Sequence, residues 1–323
     1  MSVKCKKKEL LMNITDLEIE SIIFSALGLK VKAISRFKTG FCHYVYDVKT
    51  EDKNIVLRMT SKDNLKYLKG AEHWLGVLKE SGVEVPEVLY INYDLKKYKH
   101  YFMILERFSG FDLGYVYPDL TTESKREIVT ELVKMQNKVS KVSYSEFPGE
   151  KFLPSDKLKN RTWYEYLTDI SVIANRIEEN DVFDFSRVTE FERIAFKYKD
   201  LLNSVKIEAY LDDITTKNVI VNNGCLTGIV DVDYISFGDR LMTIALTKMS
   251  LLKSDYDLHY VDFWIYEMDL SLDDLKLLDF YTFRYCLDFM SEIGCEFNGN
   301  NALVSKSVIN RLNIIFNDLA NRL

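Results

Sequence analysis

The chain has 323 residues, 47% hydrophobic and 28% charged, with a formal net charge of −6; this suits one large domain or two lobes, and lacks the basic excess of a nucleic-acid binder. Its five cysteines (Cys5, Cys42, Cys225, Cys286 and Cys295) are scattered and never in CxxC spacing, which excludes a disulfide framework or a zinc site and points to reduced thiols in a cytoplasmic protein. No signal peptide or membrane-spanning run is found, so no membrane partner is expected.

The chain opens with a predicted helix over Asp16–Leu27. Thr15-x-x-Glu18 supplies a capping box, and Ile19, Ile22, Ile23 and Leu27 recur at helical spacing. Strand-like runs follow at 31–37, 41–48 and 55–59, then a helix over 62–81 and strands at Val88–Asn92 and Tyr101–Glu106. From Thr121 onward the pattern is largely helical. The two halves therefore read differently, with a boundary near 107–110.

The main β feature of the second half is the stretch 210–239, YLDDITTKNVIVNNGCLTGIVDVDYISFGD. Asn223-Gly224 between two apolar runs predicts a two-residue hairpin turn, because both positions of a type I′ turn need positive φ. On that register Asn222 pairs with Cys225, and Asn218 lies opposite Ile229. Side-chain alternation then puts Asp231 on the face of Asn218. Asp213 enters the hairpin five residues before Asn218. Three oxygen-bearing side chains thus converge at its open end, a chemistry suited to holding a hard cation against phosphates.

Asp-x4-Asn, a hairpin and then Asp resembles the aminoglycoside phosphotransferase family of small-molecule kinases, whose core reads HGDxxxxN followed by IDxxxxxxGD. Here Leu211-Asp212-Asp213 stands where His-Gly-Asp is usual, and Ile229-Val230-Asp231 leads to Gly238-Asp239. The family's usual acid before Leu-Ala is Thr243. The resemblance covers about 31–245. It implies a bilobal α+β protein-kinase-like fold: an N-lobe over 1–106 with an antiparallel sheet and helices, a hinge at 107–110, and a largely helical C-lobe over 111–323.

For the site, the resemblance implies Asp213 as catalytic base and Asn218 with Asp231 as Mg²⁺ ligands. The nucleotide, ATP or GTP, would be met by Arg58 on its phosphates, with Glu72 as ion-pair partner. Gly40 in the turn before Phe41, the Glu106 carbonyl and the Phe108 amide complete the nucleotide contacts. Asp212 is expected to point away, since the spacing to Asn218 selects Asp213. Leu211 is expected to pack, and Asp239 to cap a helix beginning at Leu241.

The implied activity is phosphorylation of a hydroxyl on a small molecule by a monomer or weak dimer. Acids and aromatics in the C-terminal region, among them Asp257, Asp273, Asp274, Asp279, Tyr260, Trp264 and Tyr281, suit a cationic, aminated substrate, though amphipathic helices explain the same composition. An aminoglycoside leads by resemblance, with choline, homoserine or a fructosamine-like amino sugar as alternatives. A second class is a non-catalytic nucleotide-binding or structural member. His43, His73, His100 and His259 are isolated and are assigned to packing or surface.

Overall fold

In the computed structural model, the described residues are 14–37, 43–142, 161–297, 300–301 and 305–323. The chain divides into two compact units, Met1–Leu68 with Glu87–Arg107, and Lys69–Pro86 with Phe108–Leu323.

The first unit holds helix α1 (Asp16–Leu27) and strands β1 (Val31–Arg36), β2 (Tyr44–Thr50) and β3 (Asn54–Thr60), followed after an excursion by β4 (Val88–Asn92) and β5 (Tyr101–Glu106). The expected capping box is present: Thr15 Oγ1 accepts from Glu18 N, and the Glu18 carboxylate accepts from Thr15 N at 3.1 Å. The five strands form one antiparallel sheet in the order β1-β2-β3-β5-β4. Alternation along β3 sorts its side chains. Ile55, Leu57 and Met59 join Ile19 and Ile23 of α1, Tyr46, Val48, Phe102 and Ile104 in a buried cluster. Val56, Arg58 and Thr60 take the opposite face.

Helix α2 (Leu65–Glu80) leaves β3 and lies mostly in the second unit. That unit continues with β6 (Phe111–Asp112), α3 (Leu113–Val116), α4 (Thr122–Val139), α5 (Trp163–Thr168), α6 (Ser171–Asn180), α7 (Ser186–Lys197) and α8 (Lys199–Asn203). Strands β7 (Glu208–Tyr210), β8 (Val219–Asn222), β9 (Cys225–Ile229) and β10 (Ser236–Gly238) follow, then α9 (Leu241–Ser254), α10 (His259–Glu267), α11 (Leu272–Glu292) and α12 (Lys306–Arg322).

Two small sheets carry the middle of this unit: β6-β8-β9, and β7 paired with β10. Helix α11 packs on α9, α12 and α6 through Leu277, Phe280, Tyr281, Phe283, Cys286 and Leu287, all at most 5% exposed. Burial of such large apolar side chains is the main source of stability. No helix among the described residues is long and apolar enough to cross a membrane.

Candidate functional site

The β8–β9 hairpin turns through Asn223 and Gly224, both with positive φ, and Asn222 pairs with Cys225. Further from the turn the register departs from the expectation. Val221 faces Leu226, but Ile220 faces Gly228 and Val219 faces Ile229. Thr227 is an extra residue in β9, a β-bulge that shifts pairing by one. Its hydroxyl donates to Ser109 O at 3.1 Å. Asn218 therefore lies beyond the paired strand, its carbonyl accepting from Val230 N at 2.9 Å.

Asn218 and Asp231 both have left-handed backbone, φ 65° and 62°. Strand alternation does not govern residues in that conformation; each is set by a single-residue turn at its strand's end. The left-handed region costs a non-glycine residue roughly 1 kcal/mol, least for Asn and Asp. The convergence predicted from alternation is thus reached by another route.

The Asn218 side-chain nitrogen donates to Asp213 Oδ2 and to Asp213 O, each at 3.0 Å. This fixes the amide, leaving its oxygen as the end not engaged by Asp213. Asp213 keeps solvent access, yet burial of its carboxyl, and then the negative charges of Asp212 and Asp231, push its pKa up to about 7. Lys217 and the Asn218 amide act in the opposite direction.

Asp212 turns away, as expected. Its Oδ2 accepts from Ser236 Oγ of β10 at 2.7 Å, and the Tyr234 phenol bonds to the same carboxylate. Burial raises its pKa as well, with the Ser236 hydroxyl opposing. Leu211 is 2% exposed, so an apolar residue does pack where the family has His. Its N–H donates to Gln136 Oε1 at 3.2 Å, and Gln136 Nε2 donates to Ala209 O at 3.1 Å. Thr243 Oγ1 donates to Leu211 O at 2.5 Å. Two of the departures from the family pattern, Leu211 and Thr243, are therefore bonded to each other.

Asp239 is buried and serves the start of α9: its Oδ1 accepts from Leu241 N at 2.9 Å. Its Oδ2 accepts from Tyr281 OH at 2.8 Å, and that oxygen accepts from Trp163 Nε1 at 2.9 Å. Burial pushes the Asp239 pKa up to about 6.

One residue at this site carried no sequence signal. The Asn218 backbone N–H donates to Asp112 Oδ1 at 3.0 Å. An Asp just before a short helical run reads as an ordinary cap, and 106 residues separate the partners.

Arg58 lies in the first unit, 3% exposed on β3, and Glu72 lies on α2 in the second. The Glu106 N–H donates to Glu87 O at 2.9 Å, and its carboxylate accepts from Glu87 N at 3.3 Å. The Phe108 ring lies against Gly228, where a β-carbon would meet its Cε2 at 2.5 Å. Gly40 lies outside the described residues.

The acidic, aromatic composition of the C-terminal region has a structural origin instead. Tyr260, Trp264 and Tyr281 are core residues. Asp257 pairs with Lys125 at 2.7 Å, Asp279 with Lys248 at 2.6 Å and Asp273 with Lys276 at 2.8 Å, while Asp274 closes a capping box with Ser271. These carboxylates are matched by groups of the chain itself, so an aminated ligand is not needed to account for them.

No group of three His, Cys, Asp or Glu side chains able to hold a metal occurs among the described residues. Mg²⁺ asks for less: one or two carboxylates, with phosphates and water completing its octahedron. Asn218 and Asp231 are hard oxygen donors, and the charge of Asp231 acts on the Asp213 carboxyl, second to burial and alongside Asp212. The donor set fits a magnesium–phosphate group.

Residues 33–262 match the model of the phosphotransferase enzyme family. No curated protein sequence matches the chain. Among solved structures, the GDP complex of wild-type aminoglycoside 2′-phosphotransferase-IIIa is similar at a TM-score of 0.66 and 13% identity, over 96% of this chain and 99% of that one. The streptomycin–ATP ternary complex of APH(2″)-IIa gives 0.63 and 13%, over 96% and 99%. A protein assigned provisionally as a fructosamine-3-kinase from Haemophilus somnus 129PT gives 0.61 and 13%, over 93% and 96%. At these identities the structural likeness establishes the protein-kinase-like fold, while the family match extends over well more than half of the sequence. The chain belongs to the phosphotransferase enzyme family and is a small-molecule phosphotransferase.

Proposed function

We propose that the chain transfers the γ-phosphoryl group of ATP or GTP to a hydroxyl of a small, aminated molecule, with Asp213 as the base. The supporting observation is the Asn218 amide fixed on the Asp213 carboxylate with the charge of Asp231 beside it.

In this reading the acceptor oxygen forms a bond to the γ-phosphorus while the bond to the β,γ-bridging oxygen breaks, and the nucleoside diphosphate leaves. Asp213 takes the hydroxyl proton. A carboxylate within hydrogen-bond reach of the hydroxyl can take that proton as the bond to phosphorus forms. Asn218 and Asp231 would hold Mg²⁺, which when bound neutralises charge on the phosphates. The remaining work is positioning, the dominant contribution in phosphoryl transfer. By resemblance, the N-lobe (1–106) and the hinge (107–110) carry the nucleotide. Arg58 would meet phosphates through its planar fork, and the Glu106 carbonyl and Phe108 amide would read the purine edge.

An aminoglycoside is the leading acceptor, since similar structures were solved with streptomycin and with hygromycin B. A fructosamine-like amino sugar is the second reading, favoured by the similarity to the Haemophilus somnus protein. The test is a radiolabelled γ-phosphate transfer screen with Mg²⁺, using ATP and GTP in parallel against aminoglycosides, amino sugars, choline and homoserine. Transfer to an aminated alcohol is the expected result. Absence of any nucleotide binding would remove the basis for this reading. Binding without transfer to any panel member would favour a non-catalytic member of the family.

A further inference from the structure

We infer that Asp112 is a positioning residue for the proposed metal ligand Asn218, an assignment that rests on the reading of the hairpin mouth given above. Asn218 has to be held in a left-handed conformation that most residues avoid. Its carbonyl is fixed by Val230 N, its side-chain nitrogen by Asp213, and its backbone N–H by Asp112 Oδ1. Asp112 is the contributor to this set that lies outside the stretch 210–239.

The local geometry at Asp112 shows a diverted cap. Asp112 is the N-cap of α3, yet its side chain makes no capping bond to that helix. An Asp at this position ordinarily accepts from the second or third N–H of its own helix. Here the second N–H, that of Gly114, donates instead to Thr216 O at 2.6 Å. The start of α3 and the loop 213–218 thus exchange partners: the helix sends an N–H to Thr216 O, and the loop sends the Asn218 N–H to the cap carboxylate. A β-carbon at Gly114 would lie 3.1 Å from Thr216 O, so a side chain there would need Thr216 to shift by a few tenths of an ångström. Pairing of Asp112 with Ile220 across β6 and β8 sets the register of the exchange.

A side chain that orients a metal ligand from outside the coordination sphere typically changes metal affinity by about 10–100-fold when removed. The test is a Mn²⁺ titration followed by electron paramagnetic resonance, with ADP or GDP present, on the intact chain. Asp112→Ala is expected to weaken Mn²⁺ by on the order of tenfold or more, while nucleotide binding in EDTA stays unchanged. Asp112→Asn keeps an Oδ1 acceptor and is expected to restore wild-type Mn²⁺ affinity. Asp112→Ser can cap α3 in the ordinary way but falls short of Asn218. It should retain thermal stability and still lose Mn²⁺ affinity, which separates positioning from support of the helix.

Unchanged Mn²⁺ affinity in Asp112→Ala and Asp112→Ser overturns the assignment. So does an equal loss in Asp112→Asn, which would implicate the charge rather than the hydrogen bond. Failure of the wild-type chain to bind Mn²⁺ with either nucleotide would instead overturn the reading of the hairpin mouth, and the assignment with it.

Discussion

The Asn218 side-chain nitrogen donates twice to Asp213, at 3.0 Å to carboxylate Oδ2 and at 3.0 Å to the backbone carbonyl. One amide thereby fixes the orientation of a carboxyl and of the loop that carries it. The neighbouring Asp212 has a different set of partners, Ser236 and Tyr234. Two adjacent carboxylates are thus separated in role by their hydrogen bonds.

That separation predicts unequal mutants. Asp213→Asn removes the proposed proton acceptor and is expected to lower kcat by roughly 10²–10⁴-fold, with nucleotide binding little changed. Asp212→Asn retains an oxygen for the Ser236 hydroxyl, so its loss should stay below about tenfold. Steady-state kinetics with a nucleotide titration of each variant decide the matter. Equal losses would mean that the base is not confined to Asp213.

Gly70 on α2 predicts a second sensitivity. A β-carbon there would lie 2.4 Å from the Asp233 carbonyl oxygen, and that oxygen belongs to the backbone two residues after Asp231. Alanine ordinarily stabilises a helix relative to glycine by about 0.5–1 kcal/mol. Here the overlap should reverse the sign and cost roughly 1–3 kcal/mol, the range for overpacking. Gly70→Ala is therefore expected to lower Tm and, by displacing the backbone next to Asp231, to raise the Mg²⁺ concentration needed for half-maximal transfer. A Tm at or above that of the wild-type chain would show that α2 can move aside freely.

How much of this was legible in the sequence depends on how far each determinant reaches along the chain. The Thr15–Glu18 capping box and the Asn223-Gly224 turn close over four residues or fewer, and both stand as read. Strands β4 and β5 have the expected bounds because apolar runs flanked by turns define them locally. The Thr227 bulge was not legible: it is bound up with the Ser109 carbonyl and with the Glu84 carbonyl, which accepts from Ile229 N, both far away in sequence. Asp112 was hidden for the same reason. The acids of the C-terminal region fitted two readings in the sequence because composition cannot display partners such as Lys125 for Asp257, 132 residues apart. The convergence of Asp213, Asn218 and Asp231 was legible through motif order, although alternation was the wrong physical account of it.

Asp239 supplies a prediction about pH. The residue is 8% exposed, and burial holds its pKa at about 6 in the folded chain, against about 3.9 for an unfolded Asp. Between those values the folded state keeps a proton that the unfolded state has lost. Stability from this group is therefore fully present below about pH 4 and is lost as pH rises through 6, a change of roughly 2–3 kcal/mol. Asp239→Asn carries no titrating group. Its Oδ1 can keep the Leu241 N–H, while its nitrogen replaces the oxygen that accepts from Tyr281, giving a fixed cost at every pH. Denaturant unfolding of both proteins between pH 4 and pH 7 isolates the effect, since other carboxylates cancel in the difference. The stability of Asp239→Asn relative to the wild-type chain is expected to improve by that 2–3 kcal/mol from pH 4 to pH 7. Parallel curves would mean that the Tyr281 and Leu241 hydrogen bonds compensate for burial and that Asp239 ionises near its ordinary value.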